Sequence, residues 1–214
     1  MPSLVPVIAA AASGYVLGCI ATGYYLVRWR TGQDLHTVGS GATGGRNVGR
    51  VLGPVGFLVT AGLDLAKSVL AVAIPIWLGW GPVAVAAAMI GVTAGHVWPF
   101  QLGFKGGKGI APFVGTMLVV APVSLAIGAV AAGVLMLVSR RLNAGGLAGM
   151  ALTPVAALAL GSPPAIAAGI LGSLVIAIVA HRANFGSELA APSFDPGRLL
   201  SFGRLMSRMG RSHG

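Results

Sequence analysis

The sequence predicts an all-α integral membrane protein of about seven transmembrane helices, N-terminus outside and C-terminus cytoplasmic. Three observations carry this reading. The 214 residues are 56% hydrophobic and only 8% charged, with a mean hydropathy of +0.88. A soluble domain carries about 25% charged residues, so this chain has too little polar surface to stay in water. Its apolar residues gather into runs separated by glycine, proline and basic residues, and nearly all of those basic residues fall in alternate connections.

The first run, Val5–Val27, is long enough to cross a hydrocarbon core of about 30 Å. No basic region precedes it and it exceeds a signal-peptide core, so it is read as a membrane helix. The others are Pro54–Leu78, Pro82–Trp98, Ile110–Val120, Pro122–Val138, Ala144–Leu160 and Pro163–Ala180. Pro82, Pro122 and Pro163 each open a run, where a missing N–H costs least. Ile110–Val120 is short for a span, so it is expected to tilt or to form one bent unit with its successor around Pro122. Gly14-x-x-x-Gly18 and Gly91-x-x-x-Gly95 permit close helix packing. Residues 1–190 therefore form one transmembrane domain. Residues 191–214 form a basic cytoplasmic tail, either an amphipathic helix on anionic lipid or a disordered segment.

The connections sort into two sets. One holds Arg28–Gly53, Pro99–Gly109, Ser139–Asn143 and the tail from His181; the other holds the N-terminus, Gly79–Gly81, a turn near Ala121, and Gly161–Ser162. Apart from Lys67, every Lys and Arg lies in the first set. Positive charge marks the cytoplasmic side. The formal charge of +10 belongs to this asymmetry and not to nucleic-acid binding, since there is no polar basic domain and no stacking platform. The lone cysteine, Cys19, excludes an internal disulfide and a cysteine-based zinc site. No metal site and no cofactor are expected.

The stretch from Gly95 to Gly109 interrupts the apolar pattern with His96, Lys105, Lys108 and five glycines, Gly95, Gly103, Gly106, Gly107 and Gly109. Glycines let successive N–H groups converge on one point, a concavity that binds anions, and two ammonium groups beside it suit phosphate. The same residues would equally serve a glycine-rich turn whose lysines anchor helix ends at the membrane surface. Gly103 stands one residue too close to Gly107-Lys108 for a Walker loop, and Gly109 replaces its Ser or Thr.

The first cytoplasmic loop contains Gly39-x-Gly41-x-x-Gly44, but no parallel strand precedes it, so a dinucleotide fingerprint is rejected. What remains is a set of flexible N–H donors, the Ser40 and Thr43 hydroxyls, Asn47, and two guanidiniums. Arg46 and Arg50 share a face if a helix begins there. Asp64 and Lys67, three apart inside the second run, are costly at depth and should pair, as a structural ion pair or in support of a site. Asn143 follows Arg140 and Arg141 in a short basic connection, and His181-Arg182-Ala183-Asn184 closes the last run. Together these segments offer phosphate-binding donors and no nucleophile–base pair.

These residues, in this order, resemble the bacterial acyl-phosphate:glycerol-3-phosphate acyltransferase family. Gly39, Ser40, Gly41, Asn47 and Arg50 match its first loop, and Asp64 and Lys67 its Asp-x-x-Lys element. Gly95, His96, Pro99, Phe104, Gly106, Gly107, Lys108, Gly109 and Ala111 match its glycine-rich segment, and His181, Arg182 and Asn184 its terminal motif. The resemblance covers about residues 1 to 188 and implies transfer of a fatty acyl group from acyl phosphate to glycerol 3-phosphate, giving lysophosphatidate in phospholipid biosynthesis. It implies Ser40, Arg50, Lys108, His181 and Asn184 as catalytic residues. Gly39, Gly41, Arg46, Asn47, Lys105, Gly106, Gly107, Gly109, Asn143 and Arg182 would bind substrate, and Asp64, Lys67 and His96 would support the site. It further implies a multi-pass protein of the bacterial plasma membrane, its active face cytoplasmic, with the acyl chain reached from membrane lipid.

The chain departs from that family's pattern at several places. Arg46 stands where the family has Thr, Ala42 where it has Asn, and Ser68 where it has Gly. The family's Val-Ser-x-x-Ser element aligns with Leu142-Asn143-Ala144-Gly145-Gly146, without either hydroxyl. Glu188 follows Asn184 too closely to be assigned to the family's glutamate. The acceptor and the oligomeric state stay open, as does an alternative in which the scaffold is a non-catalytic subunit binding lipid or a partner.

Overall fold

The computed structural model describes residues 4–190; the expected basic tail, 191–214, lies outside the described residues. Among them, all regular structure is helical. Helix α1 (Leu4–Gly18) breaks at residues 19–21 and continues as α2 (Thr22–Thr31), the two forming the first long apolar stretch. Helix α3 (Gly45–Trp77) is kinked where Gly53 adopts φ 68°, ψ −166° just before Pro54. The kink sets a short piece, residues 45–52, ahead of the long apolar rod. The sequence placed those residues in a loop, because proline usually marks a helix start; Gly53 instead lets helix resume across it.

Helix α4 (Gly81–Val97) is the most enclosed element, packed against α1, α3 and α9 (Pro164–Ala190). The two small-residue motifs face each other across α1 and α4. A Cβ on Gly14 would come within 2.7 Å of the Ala88 carbonyl, and one on Gly95 would collide with the Tyr15 carbonyl. Backbone therefore packs on backbone, the arrangement that membrane helices use in place of a hydrophobic driving force.

The expected fourth run is α5 (Ile110–Val120), 11 residues long. At 1.5 Å per residue it spans only about 16 Å, roughly half a bilayer core. Ala121 turns the chain into α6 (Pro122–Ser139), and α7 (Leu142–Met150) and α8 (Thr153–Ala159) follow as one broken leg. Among the described residues, six stretches are long and apolar enough to cross a membrane. Side-chain ties described below bind residues 46, 108, 143 and 184 at one end of the bundle. Chain continuity therefore makes α5 an outgoing leg and α6 its return.

The interior centres on Met89, Phe113, Met117, Ile170, Leu174 and Val72. Outward, Leu58, Leu70, Val83, Val130 and Val155 are exposed, a costly surface in water and a fitting one in lipid.

Candidate functional site

The first loop is shaped by one buried amide. Asn47, 1% exposed, accepts from the Ser40 N–H at 3.1 Å and from the Arg50 guanidinium at 3.1 Å through Oδ1. Its Nδ2 donates to the Val38 carbonyl at 2.9 Å and the Leu35 carbonyl at 3.4 Å. Both donors and both acceptor sites of the amide are thus consumed. Asn47, expected to bind substrate, faces inward and organises the loop. Gly39, φ 58°, lies against Asn47 Oδ1 and the Arg50 side chain, where a Cβ has no room. Ser40 and Arg50 remain exposed beside it. Helix does begin at Gly45, so Arg46 and Arg50 lie one turn apart as the spacing predicted.

The second loop folds back on the end of α4. Gly106 N–H donates to the Val97 carbonyl and Gly107 N–H to the His96 carbonyl at 2.9 Å. Gly107 sits on the His96 ring so closely that any side chain would collide with it. The two loops are stitched together: Thr43 N–H donates to the Gly106 carbonyl at 3.2 Å, and His36 Nε2 donates to the Lys105 carbonyl at 2.8 Å. Gly109, φ 81°, then starts α5.

Helix α9 supplies the facing wall. His181, Asn184 and Glu188 are spaced i, i+3, i+7, which places them on one stripe. Lys108 Nζ donates to Asn184 Oδ1 at 2.6 Å. Glu188, 3% exposed, accepts from Asn143 N–H (3.0 Å) and Nδ2 (2.5 Å) and from Ala144 N–H (3.0 Å). A carboxylate is thereby placed at the N-terminus of α7, where the helix dipole favours it. Asn143 Oδ1 in turn accepts from Arg46 at 3.2 Å. Glu188 was not among the expected residues; its spacing from His181 and Asn184 was the available signal.

The cluster is strongly cationic. Burial pushes the Lys108 ammonium below its ordinary pKa; the Arg46 and Arg50 guanidiniums add to that shift, while Glu188 opposes it. The charges of Lys108, Arg46 and Glu188 also act on His181. The His181 Nδ1 lies 2.7 Å from the Ala177 carbonyl. A carbonyl can only accept, so Nδ1 carries the proton and neutral His181 keeps Nε2 as an acceptor.

Asp64, Lys67 and His96 form a buried network beneath this end. Lys67 Nζ reaches the Gly18 and Ile20 carbonyls at 3.1 and 2.7 Å, Asp64 Oδ1 at 2.8 Å and His96 Nδ1 at 3.2 Å. Thr22 Oγ1 donates to Asp64 Oδ1 at 2.8 Å, and Gln101 Nε2 donates to the Cys19 carbonyl. The break between α1 and α2 frees backbone carbonyls in an apolar setting, and the Lys67 and Gln101 side chains satisfy them. His96 Nδ1 lies 3.2 Å from Lys67 Nζ and 3.6 Å from Asp64 Oδ1, and the ring's other nitrogen faces Gly107. The ion pair therefore supports the glycine loop through His96.

Two expected members stand apart. Arg182 is exposed and turns back to the Val179 carbonyl on its own helix; one residue past His181, it lies about 100° around α9 from the stripe. The Lys105 side chain is exposed, and it is its backbone carbonyl that ties the loops. Ser40, Arg46, Arg50, Asn143, Lys108, His181, Asn184 and the glycine backbones are brought to one end of the bundle.

A helical membrane bundle with three cations, an imidazole acceptor and glycine-rich backbone at one end belongs to the class of membrane proteins that hold phosphate-like anions. Comparison with known proteins narrows this. A family model described as glycerol-3-phosphate acyltransferase matches residues 8–191. The chain is 40% identical over 179 residues to glycerol-3-phosphate acyltransferase 1 of Desulfitobacterium hafniense (strain Y51), covering 82% of this chain and 87% of that one. It is 42% identical over 193 residues to the glycerol-3-phosphate acyltransferase of Maricaulis maris (strain MCS10), covering 88% and 87%. Its structure is similar to the crystal structure of PlsY (YgiH), an integral membrane glycerol 3-phosphate acyltransferase in its glycerol 3-phosphate form. That likeness has a TM-score of 0.79 at 26% identity over 92% of this chain and 98% of that one. The chain belongs to the glycerol-3-phosphate acyltransferase family.

Proposed function

We propose that this protein transfers a fatty acyl group from acyl phosphate to a hydroxyl of glycerol 3-phosphate, giving lysophosphatidate and inorganic phosphate. The observation that carries the reading is the meeting of Arg46, Arg50, Lys108 and His181, drawn from distant parts of the chain, at one end of the bundle. Two anionic reactants repel each other, and fixed cations remove that barrier while holding them in register. The three described acids are all engaged: Asp34 by the His36 N–H, Asp64 by Lys67 and Thr22, and Glu188 by the start of α7.

Among the described residues, Ser40 has no base in hydrogen-bond reach, so it serves as a donor to phosphate and not as a nucleophile. The acceptor hydroxyl attacks the acyl carbon directly, the carbon–oxygen bond to phosphate breaks, and the departing phosphate takes the hydroxyl proton. Lys108 and Arg50 hold phosphoryl oxygens, and the acceptor nitrogen of His181 orients the hydroxyl. Asn184 fixes the Lys108 ammonium, and Gly106–Gly109 backbone lines the cradle. Gly41, next to Ser40, keeps the first loop open to substrate.

The clustering of basic connections at the site end supports a cytoplasmic active face, an outside N-terminus and a location in the bacterial plasma membrane. The acyl chain of the donor then enters from the surrounding lipid. Purified protein supplied with acyl phosphate and glycerol 3-phosphate is expected to release phosphate and form lysophosphatidate in equal amounts. Neither product appearing, under conditions where a verified family member is active, overturns the proposal.

A further inference from the structure

The Arg46 guanidinium has no carboxylate partner in salt-bridge reach among the described residues. Its hydrogen bond goes to a neutral amide oxygen, Asn143 Oδ1, at 3.2 Å. The nearest acid, Glu188, is already taken by three N–H donors from Asn143 and Ala144. Arg46 also lies exposed, close enough to Lys108 and His181 for its charge to act on both. Three positive charges, Arg46, Arg50 and Lys108, therefore converge, and Glu188, the carboxylate that acts on them, is occupied in holding α7.

A guanidinium exchanges a neutral partner for an anion at little cost, because a charge-assisted, bidentate bond is roughly twice as strong as the neutral one it replaces. Asn143 itself is held rigidly by Glu188, so it keeps Arg46 aimed and gives it up without moving. We propose that Arg46 is a specificity-determining residue, parked on Asn143 in the empty site and transferred to a phosphoryl oxygen when substrate binds. It thereby biases the site toward doubly charged phosphate monoesters. The assignment rests on the function proposed above for its substrates, but not for its anion binding.

The test compares the wild-type protein with Arg46→Gln and Arg46→Lys. Binding of inorganic phosphate, measured by calorimetry in detergent, is expected to weaken about tenfold or more in Arg46→Gln and to be largely kept in Arg46→Lys. In turnover, the KM for one phosphorylated substrate is expected to rise about tenfold while the other changes little. A rise for glycerol 3-phosphate assigns the guanidinium to the acceptor, and a rise for acyl phosphate assigns it to the donor. Unchanged phosphate affinity in folded Arg46→Gln overturns the proposal, as does an equal loss in both KM values that Arg46→Lys fails to rescue. If the wild-type protein binds phosphate but makes no lysophosphatidate, the proposed reaction fails, while the phosphate measurement still decides the role of Arg46.

Discussion

Lys108 is the residue whose chemistry is most exposed to pH. Its folded pKa is lowered by burial and by the Arg46 and Arg50 charges, so the ammonium loses its proton at a lower pH than a free lysine, near 10.4. If the charged form grips phosphate, kcat/KM falls on the alkaline side earlier than free lysine would dictate. Lys108→Arg keeps its charge throughout and should move that limb upward, while Lys108→Ala should lose about a hundredfold or more in kcat/KM. An alkaline limb at the same pH in wild type and Lys108→Arg would remove the lysine from this role. Lys67 makes a prediction about stability instead. Lys67→Met strips Asp64 of its counter-charge, orphans the Gly18 carbonyl and leaves the Ile20 carbonyl only its bond from the Thr22 N–H. Leaving a buried charge unpaired costs about 3–5 kcal/mol, and thermal unfolding in detergent should show a correspondingly lower midpoint. Residue type alone revealed that Asp64 and Lys67 pair; it did not reveal that Asn47 points inward, because an amide suits a substrate and a loop equally well.

At the scale of elements, the contact between α1 and α4 depends on missing side chains. Gly95→Ala drives a methyl into the Tyr15 backbone, where neither helix yields easily, and overpacking of this kind costs about 1–3 kcal/mol. Gly62→Ala, in open space on α3, is the matched control and should leave the unfolding midpoint within a degree or so, since surface changes are usually worth under about 0.5 kcal/mol. Equal effects from both would show that the contact adds nothing. Most helices were legible in the sequence, because proline and glycine punctuate them: α4, α6 and α9 begin within a residue or two of Pro82, Pro122 and Pro163. The break at residues 19–21 was not, since Cys19, Ile20 and Ala21 carry no breaker. It exists because Lys67 and Gln101, far along the chain, cap the carbonyls it frees. Glu188 was missed for the opposite reason: its distance from Asn184 argued against a familiar role, while its helical phase placed it on the site stripe.

For the whole molecule, the decisive feature is that the helical legs return to one end. Arg46 to Asn143 and Lys108 to Asn184 require α5 and α6 to go out and back, although α5 is only 11 residues long. With the positive-inside pattern, single cysteines introduced at Gln33 and Gly103 should react with impermeant thiol reagent only in inside-out vesicles. One at Gly79 or Gly161 should react only in right-side-out vesicles. Cys19 is buried and should stay silent as background. Reaction of both groups from the same side would refute the orientation. The order of legs and the basic loops were readable from charge alone. Which loops touch was not, because contacts such as Thr43 N–H to the Gly106 carbonyl involve backbone that carries no sequence signature.

The anchoring of α7 by Glu188 has a consequence for how the protein is made. Groups that meet at the site run from Gly39 to Glu188, with the carboxylate near the end of the described chain. While the ribosome is still feeding earlier segments to the insertion machinery, the start of α7 lacks its anchor and Asn143 has only Arg46 to hold it. Products stalled before residue 188 therefore emerge as inserted but unlatched bundles. On the proposed function, activity is expected only once the last helix docks.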